Sequence, residues 1–434
     1  MSWLFLVVSV AGAGFTLNAM RPIRRWHLLV PSFFAGWLIS ELPAHLIFWQ
    51  LGIMVMFVAF GALSAWPGWV ALALTFVSCV GLVSLRSLAR RGTKTIADAL
   101  REGLGDGYEQ RILPPFAPGS VDRPLSRRLL PMWMRDGKVE RLADIRYTEG
   151  AGRRHLLDLY RARDAASSPR PVLIQIHGGA WVIGDKAHQA RPLMLHLAAS
   201  GWICVAINYR LSPRATFPEH LLDCKLALRW VREHIAEYGG DPAFVAVTGG
   251  SAGGHLASLV ALTANDPRYQ PGFEDADTSV DACVPLYGVY DFTDRRGFRG
   301  RGDPLRPFLA RQVLKTSLKD DPAAYDRASP ISHVSADAPP FFVIHGTHDI
   351  LAPVAEAREF TQMLRAVSQQ PVLYAEIQGA HHAFEVFHSQ RAHLVVQGIH
   401  RFLSAVLGTR AASLPQSARR TSARLPHEHH SVLR

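Results

Sequence analysis

The chain has 434 residues and a formal net charge of +11 with histidine neutral, too long for one average domain. Its Lys and Arg are spread over loops and the tail, with no run interleaved with aromatics on a regular face, so nucleic-acid binding has little support. The four cysteines, Cys79, Cys204, Cys224 and Cys283, form no C-x-x-C pair and read as buried free thiols, not as a disulfide framework or zinc site.

Composition is split along the chain. The first 90 residues are mostly apolar, and the rest reads as a soluble globular protein. Residues 2–20 carry no charge and are long enough to cross the ~30 Å hydrocarbon core of a bilayer. No basic region precedes them, which argues against a cleaved signal peptide. Residues 46–85 also lack Asp, Glu, Lys and Arg. One helix of that length would be about twice what a bilayer needs. Trp66-Pro67-Gly68-Trp69 at its middle predicts a tight turn between two crossings. The segment 27–45 is apolar but short and holds Pro31, Glu41 and Pro43, so it reads as an interfacial or re-entrant piece, or as a fourth crossing. Three crossings place Arg21, Arg24 and Arg25 on the same side as Arg86, Arg90 and Arg91. The positive-inside rule then puts the large domain in the cytoplasm, on an integral membrane protein with membrane lipids as neighbours.

From about residue 100 short apolar runs alternate with helix-length amphipathic segments. Strands are predicted at His155–Tyr160, Val172–Ile176, Ile203–Ile207, Phe244–Thr248, Ala282–Leu286, Phe341–Ile344 and Val372–Ile377. Helices are predicted at Leu221–Tyr238, Gly254–Ala264, Val354–Val367 and Ala392–Leu407. This alternation implies a mostly parallel sheet covered on both faces. Residues 409–434 form a basic tail rich in Ser, Arg, Pro and His, expected to be disordered.

Four motifs carry the chemistry. "VTGGSAGGHLA", Val247–Ala257, places Ser251 on a strand–turn–helix corner, the context that a G-x-S-x-G nucleophile elbow requires. A nucleophile held in strained backbone leaves no room for side chains at Gly249 and Gly253. Its hydroxyl is weak at neutral pH and needs a base. "QIHGGAW", Gln175–Trp181, is a Gly-Gly turn at a strand end, able to offer backbone N–H groups to an oxyanion. "VIHGTHDILAPV", Val343–Val354, ends a strand in a loop bearing Asp349, and "EIQGAHHAFEVF", Glu376–Phe387, does the same with His381 and His382. In a parallel sheet these carboxyl ends share one edge.

Across roughly residues 145–407 the chain resembles the hormone-sensitive-lipase-like esterases of the α/β-hydrolase superfamily. The resemblance rests on "HGGAW", "NYRLSPRATFPEHLLD", "GGSAGGHLA", "YGVYDF", "HGTHDILAPV" and "GAHHAF". It implies Ser251 as nucleophile, Asp349 as orienting acid and His382 as base, the last because His382-Ala383-Phe384 fits the family's His-x-Phe. Gly178, Gly179 and Ala252 would be the oxyanion donors. Two positions depart from the family: Ala180 stands where a third glycine is usual, and Gly250 where Asp often precedes the nucleophile. HGG-x-W is also similar to kynurenine-formamidase and feruloyl-esterase-like branches.

His177 reads as a brace for the oxyanion loop, and Tyr209, Arg210 and Asp223 as ties between sheet and helices. Asp291 is a weaker candidate for the triad acid. Residues 100–143 and 292–338 are expected to form a cap. Between Arg295 and Lys319 eight basic residues face one acid, Asp303, which reads as a solvated surface or as a contact with anionic lipid. The expected activity is carboxylic ester hydrolysis through an acyl-enzyme, with no metal or organic cofactor, on a small-molecule or lipid ester. The alternatives are a formamidase or other amide hydrolase, an inactive ligand-binding member, and a membrane scaffold.

Overall fold

The computed structural model describes residues 1–119, 125–164, 168–300 and 302–413. Long apolar runs broken only by Pro, Gly and charge make the first hundred residues helical. Four helices result: α1 (Ser2–Met20), α2 (Leu29–Glu41), α3 (Pro43–Ala59) and α4 (Trp66–Leu104). By length and composition α1 and α4 could each cross a membrane, and α2 with α3 form a pair bent by 92° that could serve as one broken span. Small and hydroxylic residues let α1 and α4 approach closely: Ser9 Oγ lies 3.0 Å from Thr75 Oγ1, and Thr16 Oγ1 2.8 Å from Ser78 Oγ. Large apolar side chains such as Phe48, Trp49, Phe76 and Val80 face outward.

The turn between α3 and α4 differs from the expectation at Trp66–Trp69. The break falls at residues 60–65, and Pro67 sits in the first turn of α4, where its missing N–H has no helical partner to lose. The helix α4 also runs unbroken past residue 90. Beyond Arg86 it buries Ala89, Ile96, Ala99 and Leu100 against the domain that follows. A Cβ at Gly103 would collide with Leu373, and one at Gly398 with Ile96, so α4 lies hard against the sheet and the last helix. An expected boundary near residue 90 therefore falls inside one helix, and residues 100–104 cover the sheet.

The remaining chain forms α5 (Leu125–Leu129), β1 (Val139–Arg146), β2 (Leu156–Ala162), β3 (Arg170–Ile176), α6 (Arg191–Ala199), β4 (Ile203–Ile207) and α7 (Glu219–His234). It continues with β5 (Gly240–Gly250), α8 (Ala252–Leu262), β6 (Ala282–Leu286), α9 (Leu305–Phe308) and α10 (Pro322–Arg327). It ends with β7 (Phe341–Gly346), α11 (Val354–Val367), β8 (Val372–Ile377) and α12 (Gln390–Ser413). The sheet has eight strands in the order β1-β2-β4-β3-β5-β6-β7-β8, antiparallel at β1/β2 and β2/β4 and parallel elsewhere. The strands β3, β4, β6 and β7 are buried along their whole length, as predominantly apolar strands between two helical layers must be.

The edge strand β1, V-E-R-L-A-D-I-R, has too many charges to read as a strand from its sequence. It holds residues 139–143 in the sheet, not in a cap. Among the described residues, those of 292–338 interrupt the sheet with short helices only. Their basic side chains are largely matched within the chain. Arg295 pairs with Asp291 and Asp326, Arg296 with Glu359, and the buried Arg299 with Glu356 at 3.0 Å. α12 extends the expected helix to Ser413; the rest of the tail assigned to 409–434 lies outside the described residues.

Candidate active site

Strand register brings the four motifs together. Ile176 pairs with Gly249, Gly250 with Leu286, Leu286 with Ile344, and Gly346 with Ile377, so the carboxyl ends of β3, β5, β6, β7 and β8 lie side by side. Ser251 sits between β5 and α8 with φ 58° and ψ −122°. A non-glycine residue pays about 1–3 kcal/mol for such a conformation, and it persists only where its surroundings enforce it. Here the Ser251 amide donates to Leu286 O at 3.0 Å, and Ser251 O accepts from His255 N at 3.0 Å to begin α8. A Cβ at Gly249 would collide with Gly253 O, and one at Gly253 with Ile176 O. Both glycines are required by close packing.

His382 Nδ1 lies 2.6 Å from Asp349 Oδ2. The other carboxylate oxygen of Asp349 accepts from the amides of Leu351 and Ala352, each at 2.9 Å. Burial would raise the Asp349 carboxyl, but the facing His382 and His345 outweigh it and hold it well below the usual carboxylate range. Asp349 is thus a fixed anion against one imidazole nitrogen, which favours the tautomer with a proton on Nδ1 and leaves Nε2 as acceptor. Asp291, the weaker candidate acid, is instead tied to Thr293 and Arg295.

The two adjacent histidines part company. His381 turns away and bonds through Nε2 to Ala19 O at 2.9 Å, and its burial lowers it to about 4. On the oxyanion side, the Gly178 N–H already donates to Gln189 Oε1 at 2.6 Å. This corrects the expectation that Gly178 is an open donor. A Cβ at Gly178 would press on Gly250 O and on Ser251, so that glycine is needed for close approach. Ala252 begins α8, where first-turn amides lack helical partners. His177 stacks on Tyr209 at 4.4 Å, and Tyr209 Oη donates to His177 O at 2.9 Å. Arg210 pairs with Asp223 at 2.7 Å, tying the β4 end to α7.

Several neighbours of the site were not evident from the sequence. Tyr287 lies with its ring 4.6 Å from that of His382, and its hydroxyl donates to Glu385. A Cβ at Gly250 would collide with that hydroxyl, which explains the glycine where the family often has Asp. Helix α2 also reaches the site. Trp37 Nε1 donates to Ala383 O at 2.8 Å, Phe33 meets the His382 ring edge-on at 6.1 Å, and Gly36 abuts His381. Among the described residues no three His, Cys, Asp or Glu side chains converge as metal ligands.

The mostly parallel, helix-covered sheet is the fold of the α/β-hydrolases, and by its identity to curated esterases over nearly its whole length the chain belongs to the α/β-hydrolase esterase family and is a carboxylic ester hydrolase. The family model described as BD-FAE matches residues 157–364. Over 416 residues the chain is 45% identical to the probable carboxylic ester hydrolase LipM of Mycobacterium tuberculosis, covering 94% of each chain. It is 41% identical to esterase LipQ of the same organism, over 87% of this chain and 85% of that one. Among solved structures, esterase B from Lactobacillus Rhamnosis shares the fold with a TM-score of 0.52 at 22% identity, over 64% of this chain and 89% of that one.

Proposed function

We propose that the chain hydrolyses carboxylic esters through Ser251, His382 and Asp349, from a membrane-anchored position. The observation that carries this is the pairing of His382 with the buried Asp349 at the same sheet edge as a serine held at positive φ. Ser251 Oγ attacks the ester carbonyl carbon while His382 Nε2 takes its proton. The tetrahedral oxyanion is held by the amides of Gly179 and Ala252. His382 returns the proton to the leaving alkoxide, which departs as the alcohol. A water molecule, deprotonated by the same nitrogen, then attacks the acyl-enzyme and releases the acid and Ser251. Asp349 keeps the imidazole oriented and stabilises its cation.

The anchor is residues 1–85. Each Asp, Lys or Arg at the centre of a span costs ~2.5–3.5 kcal/mol on insertion scales, and the stretches 2–20 and 46–85 contain none. We assign the hydrolase domain to residues from about 86 to 413 and place it on the cytoplasmic side. The substrate is a small-molecule or lipid ester. Phe33 and Trp37 beside His382 favour an apolar acyl group over a formyl amide.

The test is hydrolysis of an acyl-ester series and of a formyl-amide by full-length protein and by Ser251→Ala. The expected result is ester turnover lost by at least about 10³-fold in the variant with its fold retained. Unchanged turnover in the purified variant would overturn the assignment of Ser251. Preference for the formyl-amide would move the reading to the formamidase branch.

A further inference from the structure

Helix α4 carries no charge from Trp66 to Leu85 and then presents Arg86 and Arg90, one turn apart. Beside them a pocket of about 370 Å³ lies where the helical bundle meets the hydrolase domain. Its walls come from five elements, α2, α3, α4, α5 and α12. They include His45 near the start of α3, Arg86 and Arg90 on α4, Arg128 on α5 and Arg391 at the start of α12. Glu41 is the acid on its wall, and it is already neutralised: its Oε1 lies 3.0 Å from the buried Arg391 Nη1, and its Oε2 accepts from Ser389 Oγ at 2.7 Å. Arg86, Arg90 and Arg128 make no ion pair among the described residues. Three guanidiniums from two elements, α4 and α5, around one cavity, with no matching acid among the described residues, repel one another until an anion enters.

The position of the pocket narrows the anion. Arg86 is the first charge after the uncharged stretch 46–85, and His45 lies two residues after Pro43, which opens α3. Below them, along α3 and α4, Phe48, Val80 and Val83 face outward with nothing over them. A phosphate diester in the pocket would meet planar donors from several directions, and the acyl chains attached to it would run down these exposed apolar faces. We propose that this pocket binds a phosphate-bearing anion, supplied by the headgroup of an anionic glycerophospholipid. The inference rests on the membrane reading above and concerns a site separate from Ser251.

The full-length protein in neutral detergent is titrated with phosphatidylglycerol, phosphatidylcholine and inorganic phosphate. Binding is followed by native mass spectrometry and by thermal shift. The comparison is Arg86→Gln/Arg90→Gln/Arg128→Gln, with Arg128→Gln alone as a milder variant should the triple one misfold. The expected result is tight, stabilising phosphatidylglycerol binding, weaker by on the order of a hundredfold in the triple variant and several-fold in the single one. Turnover of a soluble short-chain ester should stay within about twofold of wild type. Protection by inorganic phosphate that equals that by phosphatidylglycerol would keep the anion site and overturn its lipid source. Equal binding of phosphatidylcholine, or undiminished phosphatidylglycerol binding by the variants, would overturn the site itself. Extraction of membranes with alkaline carbonate tests the anchor separately: release would sink the membrane reading, while the detergent titration still reports on the pocket.

Discussion

Tyr287 illustrates how the site depends on residues with no motif of their own. It is buried at φ 37° with its hydroxyl on Glu385, 98 positions away in the chain. Burial, and then the facing Glu385, push the tyrosine well above its ordinary value, and burial pushes Glu385 up as well. Tyr287→Phe removes the donor and leaves a buried carboxyl group unsatisfied, which typically costs about 1–3 kcal/mol. Denaturant unfolding should register that loss, together with a fall in kcat because the ring beside His382 loses its tether. Unaltered stability would mean that Glu385 is satisfied elsewhere. The paired histidines make a sharper test. His382→Ala should remove nearly all turnover, about 10³-fold or more. His381→Ala should keep most of it while loosening the contact with Ala19. The reverse pattern would show that the base has been assigned one residue too late. The proposed triad, Ser251, Asp349 and His382, stands in local motifs at strand ends that the sequence displays. Tyr287, Glu385, Gln189 and Trp37 could not be read in this way, because their contacts cross from 11 to 346 positions of sequence and depend on the packed fold.

At the scale of elements, α4 shows where a sequence reading by composition stops. The change from uncharged to amphipathic near Arg86 marks a change of surroundings, yet the backbone continues as one helix because nothing there breaks it. Past that point its apolar side chains serve the sheet: Ile96, Ala99 and Leu100 pack in the same core as β8 and α12. Ile96→Ala should cost about 2–5 kcal/mol, as large-to-small changes in tight cores do. A chain beginning at residue 105 should be aggregated or lose cooperative melting, whereas one beginning near residue 86 should retain the hydrolase fold. Equal thermal stability of the two would show that this half of α4 is dispensable. Helix α2 binds the site more directly. Trp37→Phe removes a donor to Ala383 O, and the loss of one hydrogen bond, about 0.5–1.5 kcal/mol, should appear as a several-fold drop in kcat with little change in melting. The strands β3 to β8 were legible because each holds a short apolar run, such as 172–174 in β3 and 244–247 in β5. The edge strand β1 was not, since half of it faces water and its charges mask the period.

At the scale of the whole molecule, buried histidines set how stability follows pH. Burial lowers His177, His196, His220 and His381 to about 4, and His255 and His400 to about 3. In the unfolded chain histidine titrates near ~6.5. Below that pH the unfolded state binds more protons than the folded one, so stability is full above about 6.5 and falls steadily toward pH 4. Unfolding midpoints in detergent should therefore decline between pH 7 and 5 and stay level from 7 to 8.5. A flat profile down to pH 5 would show that these side chains reach solvent.

The N-terminal helices, the sheet and the loop bearing His382 are joined by Trp37, Ala19, Glu41 and Arg391 into one packed unit. What that unit is held to accomplish is the activation of a single serine. Reaction of the intact protein with a fluorophosphonate, followed by peptide mass analysis, reads that activation directly. One adduct on Ser251 is expected, slowed by on the order of 10⁴-fold in Asp349→Asn and nearly absent in His382→Ala. A folded wild-type protein that forms no adduct, or forms it on another residue, would contradict the account.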